Sequence, residues 1–212
     1  MSAPLPEPES TDLGRYLEDT IVIDWQTPAV AEKASRLIEG ADGPEARVER
    51  IFRFVRDEIA HALDGERDVR TCRASEVLKE GAGLCHAQSH LLAALMRFAG
   101  HPTGFCYARV RDDVRDDECD GDRDERFVVH GFNAVFWAPT RSWIFLDASA
   151  RADAPEPACR FEAPWSLGFE PDVDRGECFL PGIRRRPARR IVDLLERAPS
   201  LEAILRNLPD TV

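Results

Sequence analysis

Three stretches of the chain place apolar residues at the three- and four-residue intervals that mark one face of a helix. In the first, Val30, Ala34, Leu37 and Ile38 point inward, with Thr27-Pro28 suited to its start and Gly40 to its end. The second opens at Gly43-Pro44 and carries Val48, Ile51, Phe52, Val55 and Ile59 beneath an Arg/Glu-rich outer face. The third runs from about Leu84 to Ala99, with Leu84, Ala87, Leu91, Leu95 and Phe98 in line, and Gly100 with Pro102 stopping it. From Thr103 the pattern changes to short runs rich in β-branched and aromatic residues: 104–110, 127–137 and 143–147. The last two are joined by residues 138–142, a plausible hairpin loop. Residues 151–187 hold many Pro and Gly with isolated aromatics (Phe161, Trp165, Phe169, Phe179), an irregular layer packed on the sheet. Ala188–Leu208 returns to helix. The expected architecture is α+β, with helices first and an antiparallel sheet after them. Residues 1–15 form a flexible N-terminus, 16–150 the core, and 151–212 pack on the same domain.

Composition narrows the function. The 212 residues carry a net charge of −11. That acid excess argues against binding nucleic acid backbones or anionic membrane surfaces, both of which need clustered Lys and Arg. No apolar run approaches a membrane span, and the N-terminal residues lack the basic start and apolar stretch of an export signal. A cytoplasmic protein is expected, with its six Cys as free thiols. Only two Lys against 26 Arg fits the codon bias of a GC-rich genome.

Among the six thiols, Cys85 stands apart. It follows Gly81-Ala82-Gly83-Leu84 and occupies the first turn of the third helix. There the free N–H groups and the helix dipole favour a thiolate, the reactive form. Gly81 and Gly83 lack Cβ atoms and would let a substrate approach the backbone closely. A small residue buried under a helix end is the competing reading. A thiolate nucleophile needs a base, and the base needs a group to orient it. His130 lies inside the 127–137 strand, and four apolar residues, Trp143 to Leu146, lead the next strand into Asp147. Pairing those strands through the 138–142 loop brings His130 and Asp147 to within a few residues of facing each other, in reach of a carboxylate–imidazole hydrogen bond. In roles, this is a papain-like arrangement.

Several blocks in order carry a resemblance to a known family. They are Phe54-Val55-Arg56-Asp57-Glu58-Ile59, Ala74-Ser75-Glu76-Val77-Leu78, Gly83-Leu84-Cys85 and Ala93 to Pro102. His130-Gly131-Phe132-Asn133 and Trp143 to Asp147 complete the set. Over roughly residues 16–150 the chain resembles the transglutaminase-like superfamily, of the bacterial cysteine protease or amidase type. The resemblance implies a papain-like α+β fold and a catalytic triad of Cys85, His130 and Asp147, with no cofactor and no metal. It implies acyl transfer from a peptide or small amide or acyl substrate, through a thioester acyl-enzyme, to water or to an amine acceptor. The alternative from another class is a catalytically silent transglutaminase-like domain acting as a binding module. His101 and the Gly131-Phe132 pair depart from the family's commoner residues.

Three further features have competing readings. His86 and His90, four apart on one helix face beside Cys85, have zinc-ligand spacing, but no fourth ligand is nominated. Asp112–Arg126 holds nine acids and three Arg, more than half of the net charge. Its alternating acids from Asp116 to Asp124 loosely resemble a calcium loop, though Phe127 stands where the last ligand should be and no helices flank it. A solvated loop beside the active site is the better reading. Arg184 to Arg190 is the one basic cluster and suits a salt-bridge network at a helix start.

Overall fold

The computed structural model describes residues 4–65, 68–112, 126–149, 159–163 and 166–212. Two antiparallel-type amphipathic elements open it: α1 (Pro28–Ile38) and α2 (Gly43–Glu58), each with Pro in its first turn. Thr27 precedes α1 as expected, but its hydroxyl donates to the Asp24 carbonyl (2.8 Å) rather than capping the helix. After α2 the short strand β1 (Ala60–His61) pairs in parallel with β2 (Ala82–Gly83), His61 opposite Gly83. Between them lies α3 (Ala74–Glu80), whose Glu76 carboxylate accepts the backbone N–H groups of Cys72 and Arg73. Gly81 closes α3 in the left-handed conformation, φ +67°.

α4 (Cys85–Phe98) is the central element. Every residue from His86 to Arg97 is buried, so it is wrapped by protein on all sides rather than amphipathic. The helical layer lies on one side of it and a four-stranded antiparallel sheet on the other, in the order β5-β4-β3-β6. The strands are β3 (Thr103–Arg111), β4 (Phe127–Trp137), β5 (Ser142–Leu146) and β6 (Cys178–Phe179). Alternation along β4 divides the interior. Val129, Val135 and Trp137 join the large core shared with the helices. Phe132 and Ala134 join a smaller cluster with Tyr16, Cys106, Phe145 and Ile183. β5 covers β4 only from Asn133 onward. Closer to the start of β4, the Val129 N–H instead donates to the Pro209 carbonyl at 2.8 Å, so the C-terminal segment covers that edge.

Three expectations need correction. The helix expected over 188–208 is two, α5 (Arg189–Arg197) and α6 (Leu201–Arg206). Pro199 forces the break, since it pushes Ala198 into an extended conformation (ψ 137°) and offers no N–H. Ser200 then caps α6 by accepting from the Ala203 N–H. Second, the N-terminal segment expected to be flexible over 1–15 is tied down in part. Glu9 N–H donates to the Ile183 carbonyl (3.2 Å), Ile183 N–H to the Glu7 carbonyl (2.7 Å), and the buried Tyr16 hydroxyl to the same Ile183 carbonyl (3.0 Å). Third, Gly83 does not open the backbone to a substrate. It is buried, and a Cβ there would meet Thr71 Oγ1 at 2.9 Å and Ala87 Cβ at 3.1 Å, so close packing demands the glycine. Among the described residues no helix is long and apolar enough to cross a membrane.

Candidate active site

The β1–β2 pair and α4 set the position of Cys85. Ala62 N–H donates to the Gly83 carbonyl (3.0 Å), anchoring the chain two residues ahead of the nucleophile. Leu84 is then the extended N-cap residue (ψ 162°), and Cys85 is the first helical residue, half-buried at the positive end of α4. Leu84 has no side-chain oxygen to cap the helix, so the first-turn N–H groups remain available around the sulfur.

The strands bring the other two residues together. Asn133 pairs with Leu146, so Asp147 falls one step past β5, level with Phe132 and diagonal to His130. His130 Nε2 hydrogen-bonds Asp147 Oδ2 at 2.9 Å. The other carboxylate oxygen accepts from the Ser149 N–H (2.9 Å) and hydroxyl (2.6 Å), and Asp147 itself is 2% exposed. Phe169 sets its ring edge-on against the imidazole, with centroids 4.7 Å apart. With Nε2 committed to Asp147, Nδ1 is the ring nitrogen left for the Cys85 sulfur, and both residues line one cleft. Cys85, His130 and Asp147, named from the sequence, therefore meet in one cluster.

Electrostatics sharpen the cluster. Burial on its own would raise the Cys85 thiol, but the charges of His86 and His130 and hydrogen bonds from His130 and His61 outweigh it and hold the thiol well below its ordinary range. Burial would lower His130, yet Asp147 and the Cys85 sulfur pull it well above the usual imidazole value. Asp147 follows the same logic, with burial overcome by His130 and the Ser149 hydrogen bonds, and sits below the usual carboxylate range. All three shifts favour the charged form of their group. Three other thiols contrast: burial pushes Cys72 and Cys159 up to about 12 and holds Cys106 well above its ordinary range. Cys119 lies outside the described residues.

Two further histidines belong to this site. His86, 1% exposed, places Nδ1 3.4 Å from the Cys85 sulfur and stacks on Tyr107. Its ring backs onto Gly131, where a Cβ would come within 2.9 Å of His86 Cδ2, which accounts for a glycine directly after His130. His61 accepts the Leu63 N–H at Nδ1 (3.4 Å), which puts the ring proton on Nε2, and the ring lines the same cleft as Cys85. His61 carried no sequence signal, since it stands alone after α2 in a two-residue strand. Only its pairing with the strand that leads into Cys85 explains its place.

The competing features resolve differently. His90 does not join His86 in a ligand set. Its Nδ1–H donates to the Cys72 carbonyl (2.7 Å), its ring packs edge-on against Phe105, and burial pushes it down to about 4, leaving it neutral. Among the described residues no group of three His, Cys, Asp or Glu is arranged to hold a metal ion. The alternating acids from Asp116 to Asp124 lie outside the described residues. Three arginines of the basic cluster form ion pairs: Arg185 and Arg186 with Glu18, Arg185 also with Glu9, and Arg189 with Asp193.

Fold and site together define a cysteine-centred α+β protein of papain-like construction. The chain belongs to the transglutaminase-like superfamily, whose family model matches residues 31–148. Among solved structures it is similar to a candidate cysteine protease from Cytophaga hutchinsonii, with a TM-score of 0.50, 17% identity, and coverage of 66% of this chain and 43% of that one. It is also similar to red sea bream transglutaminase, with a TM-score of 0.40, 16% identity, and coverage of 69% of this chain and 27% of that one. The chain thus spans less than half the length of either. No curated protein sequence matches it.

Proposed function

We propose that this protein is a cysteine-dependent acyl-transfer enzyme of peptidase or amidase type, with Cys85 as nucleophile, His130 as acid–base and Asp147 as the group that positions His130. One observation carries the reading: a sulfur at a helix N-terminus faces a histidine whose far nitrogen is bound, at 2.9 Å, to a buried carboxylate. The thiolate attacks the carbonyl carbon of an amide, ester or thioester. The His130 imidazolium then gives its Nδ1 proton to the leaving amine or alcohol as that bond breaks, forming a thioester acyl-enzyme. Water, deprotonated by the now neutral His130, hydrolyses the thioester; an amine in its place completes a transamidation. The Cys85 N–H is one donor to the oxyanion. The His61 Nε2–H, in the same cleft, is the second.

Limiting iodoacetamide at pH 6, read by peptide mapping, tests the nucleophile. Cys85 is expected to be carboxamidomethylated well before Cys72, Cys106, Cys159 and Cys178, since its thiol is lowered. Equal labelling of all five removes the activated thiolate and the proposal with it. Turnover of p-nitrophenyl hexanoate with and without a primary amine separates hydrolase from transferase. On the same ester His61→Ala is expected to lower kcat roughly 100-fold with little change in KM. His61→Gln, which retains an N–H, restores a substantial part of it; a KM effect alone would remove His61 from the oxyanion site.

A further inference from the structure

Beside Cys85 the protein leaves a cleft of about 230 Å³ whose walls are aliphatic. Leu63 follows β1, Leu84 precedes the nucleophile, Val110 and Val128 come from β3 and β4, and Leu205 and Leu208 come from α6 and the segment after it. With Val129, seven branched aliphatic residues drawn from distant parts of the chain converge beside the Cys85 sulfur. An apolar concavity of that kind is costly to leave wet and is the common build of a ligand pocket. The charged residues of its lining, Arg111 and Asp112, stand at the foot of the acidic loop, where Arg126 holds Asp112 at 3.5 Å.

The C-terminal wall is held in place. Arg126 donates to the Leu205 and Arg206 carbonyls at 2.8 and 2.9 Å, and the Val129 N–H donates to the Pro209 carbonyl at 2.8 Å. Arg184 donates to the Val212 carbonyl at 3.1 Å. Leu205, Leu208 and Val212 all pack on the main core. Leu205, Leu208 and Val212 lie beyond the 31–148 that the family model matches.

We infer that this cleft receives an aliphatic group of the acyl donor, and that the C-terminal segment, through Leu205 and Leu208, sets that preference. The inference rests on Cys85 being the nucleophile and adds the substrate class. The volume is below the roughly 300–1,000 Å³ of sites for drug-sized ligands, so the cleft takes one branched side chain or a short alkyl chain rather than a large ring system. A carboxylate or ammonium lodged among the aliphatic side chains would lose its hydration there.

Alkylation of the intact protein by two electrophiles, iodoacetamide and N-hexyl iodoacetamide, tests this without knowledge of the natural substrate. The hexyl reagent is expected to modify Cys85 at least about tenfold faster, since each buried methylene is worth roughly fourfold. In a Leu205→Ala/Leu208→Ala protein the ratio of the two rates should fall to near one. Val128→Ser, on the sheet side, should lower it independently, with thermal melting showing both variants folded. A ratio near one in the parent, or one that survives in both folded variants, overturns the inference. The failure of the acyl-transfer reading looks different: Cys85 then reacts slowly with both reagents while the hexyl preference remains. Esters of hexanoate and of N-acetyl-leucine, compared with acetate and N-acetyl-glycine, distinguish a fatty acyl chain from a peptide side chain as its source.

Discussion

An Asp147→Asn protein is expected to cleave N-acetyl-leucine p-nitroanilide roughly 10³–10⁴-fold more slowly than the parent, with kcat taking the loss. The surroundings of Asp147 dictate that result. Oδ1 already accepts two hydrogen bonds, from the Ser149 N–H and hydroxyl. An asparagine must keep its single oxygen there to avoid setting NH₂ against two donors. Its NH₂ is then forced toward His130 Nε2, the nitrogen that Asp147 Oδ2 now binds at 2.9 Å. The ring can no longer carry a proton on Nε2, so the imidazolium that stabilises the Cys85 thiolate is lost. The pH dependence of stability separates this from mere loosening. Asp147 is lowered, so its contribution is complete above its unfolded pKa and is lost as pH falls through the lowered value. His130 is raised, so its contribution is complete below its unfolded pKa and is lost as pH rises through the raised value. Both are complete between about pH 4 and 6.5, the two unfolded values. Melting curves across pH should show this window in the parent and neither limb in Asp147→Asn. Parental turnover in that variant, or an unaltered pH profile, would remove Asp147 from its positioning role.

The second large effect concerns stability. Arg97, 2% exposed near the end of α4, sends Nε and Nη2 to the Thr103 carbonyl (3.2 and 2.8 Å), Nη1 to the Glu18 carbonyl (2.7 Å) and Nη2 also to the Arg185 carbonyl (2.7 Å). Burial lowers it to about 10, still cationic at neutral pH. One guanidinium thus ties the segment before α1, the start of β3 and the approach to α5 onto the central helix. Arg97→Met would fill much of the volume but leave three carbonyls buried without donors, a loss of about 3–5 kcal/mol. For a chain of 212 residues that corresponds to roughly 7–11 °C in Tm. Arg97→Lys should recover less than half, because one ammonium cannot reproduce a planar fork aimed at three acceptors. A melting temperature within 2 °C of the parent for Arg97→Met would refute this account.

Much of this fold was legible because its long elements repeat their signals. α1, α2 and α4 span three turns or more, enough for the 3.6-residue period to declare itself, and the three main strands lie within a residue or two of where their β-branched runs predict. Cys85 was legible from the helix start behind Gly83, and the approach of His130 to Asp147 from the short loop between their strands, though the register itself came only from the pairing of Asn133 with Leu146. The misses share a cause, which is contact between residues far apart in sequence. α3 has seven residues, too few to show a period. His61 draws its meaning from a sulfur that another element brings to it. Gly83 and Gly131 are glycines because Thr71 and His86, respectively, occupy the space of a side chain. The strap of residues 7–10 along Ile183 has no local pattern at all. The break at Pro199 is the exception, a local signal overridden by the helical period on either side of it.

The complete burial of α4 has a kinetic consequence. A nucleophile on a loop can gain or lose reactivity as the loop opens and closes; one at the head of the most enclosed helix cannot move independently of the domain. Its backbone amides should be among the last to exchange with solvent, and the fluctuation that releases the helix is global unfolding itself. Attack by the sulfur is therefore not gated by motion of its own support. Any gating of access must come from the walls around it, of which the C-terminal segment is one.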